Sequence, residues 1–187
     1  LVGEPDFDTP AHIRKAACDA ITAGHTRYTH SAGIAPLREA ICRKLERDNG
    51  VRCDPSRVIV TTGGKQALFH AFMATVDAGD EVIVPAPYWV SYPEMVRLFG
   101  GTPVIVRGDP AHGLKTDLGA VAAAITPRTR WIVLNFPANP SGASLSANDA
   151  GALVRLLEAH PHVRLMTDEV YEHIVYGGGL APHPLAL

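Results

Sequence analysis

The feature that most narrows what this 187-residue chain can fold into is an alternation of short apolar runs with helical stretches. Val58-Ile-Val60, Glu81-Val-Ile-Val84, Pro103-Val-Ile-Val106, Trp131-Ile-Val-Leu134 and Val163-Arg-Leu-Met166 are short and mainly apolar, so each reads as a strand. Helical patterns separate them: Lys65 to Val76, a helix ending at Gly100-Gly101, Asp117 to Ile125, and one running to Ala159. Ser146 with Asp149 three residues on is a capping box for that last helix. Strand–helix alternation predicts an α/β domain, a three-layer sandwich around a mainly parallel sheet with right-handed crossovers. Upstream, Thr9 is expected to cap a helix with Pro10 at its first position and Ile13, Ala16, Ala17, Ala20 and Ile21 at helical spacing. Pro36 opens a second helix that Asn49-Gly50 stops.

In such a sheet, ligands sit beyond the carboxyl ends of the strands. Four of those ends carry a group of interest. Thr61-Thr-Gly-Gly-Lys65 joins a strand to a helix, and its glycines and first helical N–H groups suit a phosphate. It matches neither a Walker A loop nor G-x-G-x-x-G, and a plain glycine turn is the competing reading. Trp89 follows the second strand as a ring able to stack on a flat ligand, or simply as core packing. Asn139, in Asn135-Phe-Pro-Ala-Asn-Pro-Ser-Gly142, offers a donor in a stretch that would turn anyway. Asp168 follows the last strand directly, with Tyr171 three residues on. A carboxylate there suits a protonated ring nitrogen, whereas the ordinary reading is a helix cap.

Composition excludes more than it identifies. A net charge of −2, from 17 basic and 19 acidic residues without blocks, argues against a nucleic-acid surface or a polybasic membrane anchor. Cys18, Cys42 and Cys53 form no C-x-x-C, which implies neither a disulfide framework nor a zinc knuckle and fits a reducing cytoplasm. His160 and His162 are the closest histidine pair, with no third ligand at zinc spacing.

The chain resembles the class I/II aminotransferases, pyridoxal-phosphate enzymes, and within them the bacterial aspartate aminotransferase subgroup. The matching pieces are Gly3-Glu-Pro-Asp-Phe, Tyr28 with Ala32-Gly-Ile-x-x-Leu-Arg38, Gly63-Gly-Lys-Gln-Ala-Leu68, Pro87-Tyr-Trp-Val-Ser-Tyr-Pro93, Asn139-Pro-Ser-Gly142 and Asp168-Glu-Val-Tyr-Glu172. The resemblance implies that Asp168 pairs with the pyridinium nitrogen of pyridoxal 5'-phosphate, and that Tyr171 and Asn139 bond its ring oxygen. Trp89 would stack on the ring, and backbone N–H groups at Gly64 and Lys65 would hold the phosphate. Tyr28 would reach the phosphate of a neighbouring subunit in a homodimer, and Gly3, Lys65, Trp89 and Asn139 would meet the substrate. Ala138 and Ser141 stand where the family usually has Asn and Thr.

The resemblance also implies something this chain lacks. The family's Schiff-base lysine follows the Asp-x-x-Tyr pair by roughly 30 residues, so it would lie beyond Leu187, and no catalytic residue is expected within 1–187. The chain therefore reads as part of a larger protein: residues 1–35 as a segment shared with a small domain and the substrate site, and 36–187 as an incomplete cofactor-binding large domain. The expected activity is amino transfer between an acidic amino acid and a 2-oxo acid. Its rivals are a lyase or decarboxylase of the same fold, the ligand-sensing domain of a transcription regulator, and an inactive truncated product.

Overall fold

The computed structural model describes residues 7–108, 110–176 and 183–187. Strands β1 (Glu81–Ala86), β2 (Thr102–Arg107), β3 (Thr129–Asn135) and β4 (Arg164–Asp168) form one sheet in the order β2-β1-β3-β4. Every pairing is parallel. After β2 the chain returns to the other side of β1, so the connection reverses direction between β1 and β3. A crevice forms at the carboxyl ends there.

The pleat sends alternate side chains to opposite faces, and each face has its own cover. Val82, Val84, Val133 and Met166 point to one side, under α3 (Gly64–Thr75) and α4 (Ser91–Leu98), and pack with Leu68, Phe72, Tyr92, Met95 and Val96. Ile83, Val106, Ile132 and Leu134 point to the other, under α5 (Leu118–Ala123) and α6 (Ala147–Ala159), and pack with Val121 and Leu153. This is the expected three-layer sandwich. The capping box of α6 is formed: Ser146 Oγ accepts from Asp149 N, and Ser146 N donates to Asp149 Oδ2 at 2.9 Å.

Two local expectations are corrected. Val58-Ile-Val60 is extended but joins no sheet; Val60 N donates to Ala32 O at 3.0 Å, and Ile59 is exposed. A β-branched run becomes a strand only beside another strand, and among the described residues none lies there. Helix α1 (Ala11–Thr22) starts one residue later than expected, with Pro10 at its N-cap and no side-chain cap bond from Thr9. Helix α2 (Ala35–Asn49) does end as read, at Gly50 in the left-handed region (φ 68°). Among the described residues, no helix is long and apolar enough to cross a membrane.

Candidate functional site

The β3–β4 ladder finishes on the pair Asn135 and Asp168, which brings two polar side chains to the rim of the crevice. Asn135 Nδ2 donates to Asp168 O at 2.7 Å, and Asn135 Oδ1 accepts from Asn139 N at 2.6 Å. One amide thus fixes both the end of β4 and the loop carrying Asn139. Above this rim lies an open hollow of ≈ 220 Å³. Its lining includes Gly64, Lys65, Trp89, Asn139, Asp168 and Tyr171, all of them sequence-predicted, together with Tyr92 and Asn135.

Each arrives on a different element. Gly64 and Lys65 begin α3, whose N-cap is Gly63 (φ 79°) without a side-chain cap bond. A Cβ placed on Gly63 or Gly64 would meet nothing within 4 Å, so a ligand has room to reach the backbone N–H groups. Lys65 Nζ lies over the Trp89 ring, 4.8 Å from its centroid. This cation–π contact holds a cation at a helix N-terminus where the dipole disfavours it. Asp168 caps no helix: the residues after it form a turn, and its Oδ2 accepts from the Tyr92 hydroxyl at 2.7 Å. Burial first, and then that carboxylate, push the Tyr92 phenol well above its usual range, so it stays protonated.

The turn bearing Tyr171 is tied to α2. Glu172 accepts from Lys44 Nζ and, at 2.7 Å, from Asn49 Nδ2, while Lys44 Nζ also donates to Asn49 Oδ1 at 2.8 Å. Burial acts to raise the Glu172 carboxyl, but the Lys44 and Asn49 hydrogen bonds and the lysine charge outweigh it and hold it below the usual range.

One predicted residue is placed away from the hollow. Tyr28 is fully exposed, beside residues 26–31, and Gly3 falls outside the described residues. Two polar lining residues were missed by sequence reasoning. Tyr92 sits three residues after Trp89, a helical spacing that could have flagged it. Asn135 gave no signal before the strand register was known. His160 and His162 stand edge to face, and among the described residues no group of three His, Cys, Asp or Glu is arranged to hold a metal.

A family model described as aminotransferase class I and II matches residues 2–185. The chain belongs to that family. It is 53% identical to an aspartate/prephenate aminotransferase of Cereibacter sphaeroides, over 93% of this chain and 44% of that one. It is 51% identical to an aspartate aminotransferase of Rhizobium meliloti, over 94% and 43%. Its fold superposes on the crystal structure of the aspartate aminotransferase from Rhizobium meliloti with a TM-score of 0.96 at 48% identity, covering all of this chain and 46% of that one. A Thermus thermophilus aspartate aminotransferase with maleate gives 0.94 at 50% identity, over 99% and 48%. The chain thus spans under half the length of these relatives. Class I and II aminotransferases use pyridoxal phosphate. The hollow suits it: an acid, a phenol, an amide, a flat ring and an open helix N-terminus converge on one space.

Proposed function

We propose that the protein containing this chain is a pyridoxal-phosphate aminotransferase that moves an amino group between an acidic amino acid and a 2-oxo acid. The convergence of Asp168, Tyr171, Asn139, Trp89 and the start of α3 on one hollow is the observation that carries this reading. The names of the relatives favour aspartate as donor and prephenate among the oxo acids.

When bound, pyridoxal phosphate supplies a ring that draws negative charge from the substrate's α-carbon. This chain's residues set the conditions for that. Asp168, lodged at the end of β4, would hold a proton on the ring nitrogen. Tyr171 and Asn139 would hydrogen-bond the ring oxygen, Trp89 would stack on the ring, and the Gly64 and Lys65 N–H groups would receive the phosphate. Tyr28, exposed on the arm before α2, reaches the neighbouring subunit's site in a homodimer. Residues 1–35 belong in part with the small domain and carry Gly3 to the substrate, and 36–187 form the large-domain portion. The Schiff-base lysine is contributed by sequence beyond Leu187.

Lys65 selects the substrate. Its ammonium lies over Trp89 at the mouth of the hollow, placed to meet a distal carboxylate. The test is steady-state kinetics on the full-length protein. Pyridoxal-phosphate-dependent turnover of aspartate is expected, and Lys65→Ala should lower kcat/KM for aspartate by roughly 10–100-fold, the worth of one charge-assisted bond, while sparing a neutral amino acid. No turnover by the wild type with any acidic donor would refute the proposed activity, and equal losses for both donor types would remove Lys65 from specificity.

A further inference from the structure

Tyr92 is buried in the core beneath the hollow and performs two tasks at once. Its hydroxyl donates to Asp168 Oδ2 at 2.7 Å. Its ring stands edge to face against Trp89, centroids 5.4 Å apart at 77°. Helix α4 makes this possible, since Tyr92 N donates to Trp89 O at 3.1 Å in its opening turn. One side chain therefore touches both the acid at the floor of the hollow and the aromatic ring at its side. Among the described residues, the other Asp168 oxygen, Oδ1, has only a long contact with Val170 N, at 3.4 Å, which leaves it the oxygen open to a ligand.

We propose that Tyr92 is a positioning residue for the cofactor ring, locking Oδ2 so that Oδ1 faces the ring nitrogen and donating to the carboxylate so that it leaves the proton on that nitrogen. This rests on the pyridoxal-phosphate reading above. The physical basis is directional. A carboxylate with one oxygen held by a fixed donor loses rotational freedom, and a donor to the charged form makes that form a poorer proton acceptor. The phenol keeps its own proton because burial and the adjacent negative charge both oppose tyrosinate. Tyr171 is no substitute, because its hydroxyl makes no such bond to Asp168 and its backbone rides on the turn held by Glu172.

The deciding substitution is Tyr92→Phe, which keeps the ring and its edge contact with Trp89 and removes only the donor. In the full-length protein loaded with ¹⁵N-labelled pyridoxal phosphate, the ring-nitrogen chemical shift is followed against pH, alongside kcat and KM. The wild type should show the resonance of a protonated ring nitrogen, and Tyr92→Phe, by leaving a more basic carboxylate, should move that resonance part of the way towards the unprotonated value at every pH. It should lower kcat about tenfold with little change in KM, since the lost hydrogen bond acts on the ring rather than on substrate binding. Tyr92→Phe should add nothing in an Asp168→Asn background if Tyr92 acts through that carboxylate. A nitrogen titration superimposable on the wild type's would overturn the proposal. So would an equal effect of Tyr92→Phe with and without Asp168. A wild type that binds no pyridoxal phosphate would instead sink the functional reading itself, so the two failures are distinguishable.

Discussion

The sheet with its four helices and the arm that carries α1 obey opposite rules of burial. Between α3 and α6, the apolar positions found by spacing are buried on both faces of the sheet: Phe72, Val82, Ile83, Val121, Ile132 and Leu153 have essentially no exposed surface. In α1 the apolar stripe is just as regular, yet no residue of the helix is buried, and Ile21 is 65% exposed. The same hydrophobic periodicity thus has two outcomes. Where a complementary face exists within the chain, the pattern becomes core; in the arm the stripe is written for a surface that these residues do not supply. Tyr28, just after α1 and wholly exposed, belongs to the second case.

The sharpest way to break this contrast is subunit complementation in the full-length protein. Tyr28→Ala and Asp168→Ala should each nearly abolish turnover. If the arm serves a neighbour's site, mixing and re-associating the two inactive variants should restore activity to about one quarter of wild type, from heterodimers with one intact site. No recovery, with mixed dimers verified by mass, would keep Tyr28 in its own subunit. Next in size is the core. Phe72→Ala should cost about 3–5 kcal/mol by urea unfolding, because a fully buried ring leaves a cavity between α3 and the sheet. A loss under about 1 kcal/mol would mean this region is loosely packed.

The α2–turn anchor should show an intermediate, pH-dependent effect. The folded-state pKa of Glu172 is depressed, so its stabilisation is fully present above the ordinary carboxylate value of 4.5 and is lost as pH falls below it through the lower folded value. Glu172→Gln should destabilise by about 1–2 kcal/mol at pH 7 and flatten the stability curve below pH 4.5. Parallel wild-type and variant acid curves would rule the anchor out. The smallest effect belongs to the arm: in the isolated 1–187 chain, Ile13→Ser should change stability by less than about 0.5 kcal/mol, and a larger loss would show that α1 packs on this chain after all.

Much of this was legible in advance, and what escaped did so for identifiable reasons. Strand–helix alternation, the stop at Gly50 and the Ser146–Asp149 capping box depend on neighbours within a few residues, and they were readable. The convergence of Trp89, Asn139 and Asp168 followed from their standing after strand ends, and Gly64 joins them at the start of α3, which covers the same sheet. Tyr92 was overlooked because its partner lies 76 residues away, and nothing local distinguishes a tyrosine that will bond an aspartate from one that only fills space. Val58-Ile-Val60 misled because β propensity describes a residue's fitness for a sheet and not whether a neighbour is there to pair with. Asn135 needed the register itself.

The strand order has a consequence for how the protein is made. With β2-β1-β3-β4, each strand after the first pairs with one that has already been synthesised, so the sheet can be assembled on the ribosome by adding strands as they emerge. The hollow is then gathered in chain order: the start of α3, Trp89 with Tyr92 of α4, Asn139, and finally Asp168 at the end of β4 and Tyr171 in the turn after it. Until β4 emerges, Val133 and Leu134 lie on an unpaired strand edge beside a half-built site. Between residues 135 and 164 the nascent chain therefore offers that edge to a chaperone or to another chain.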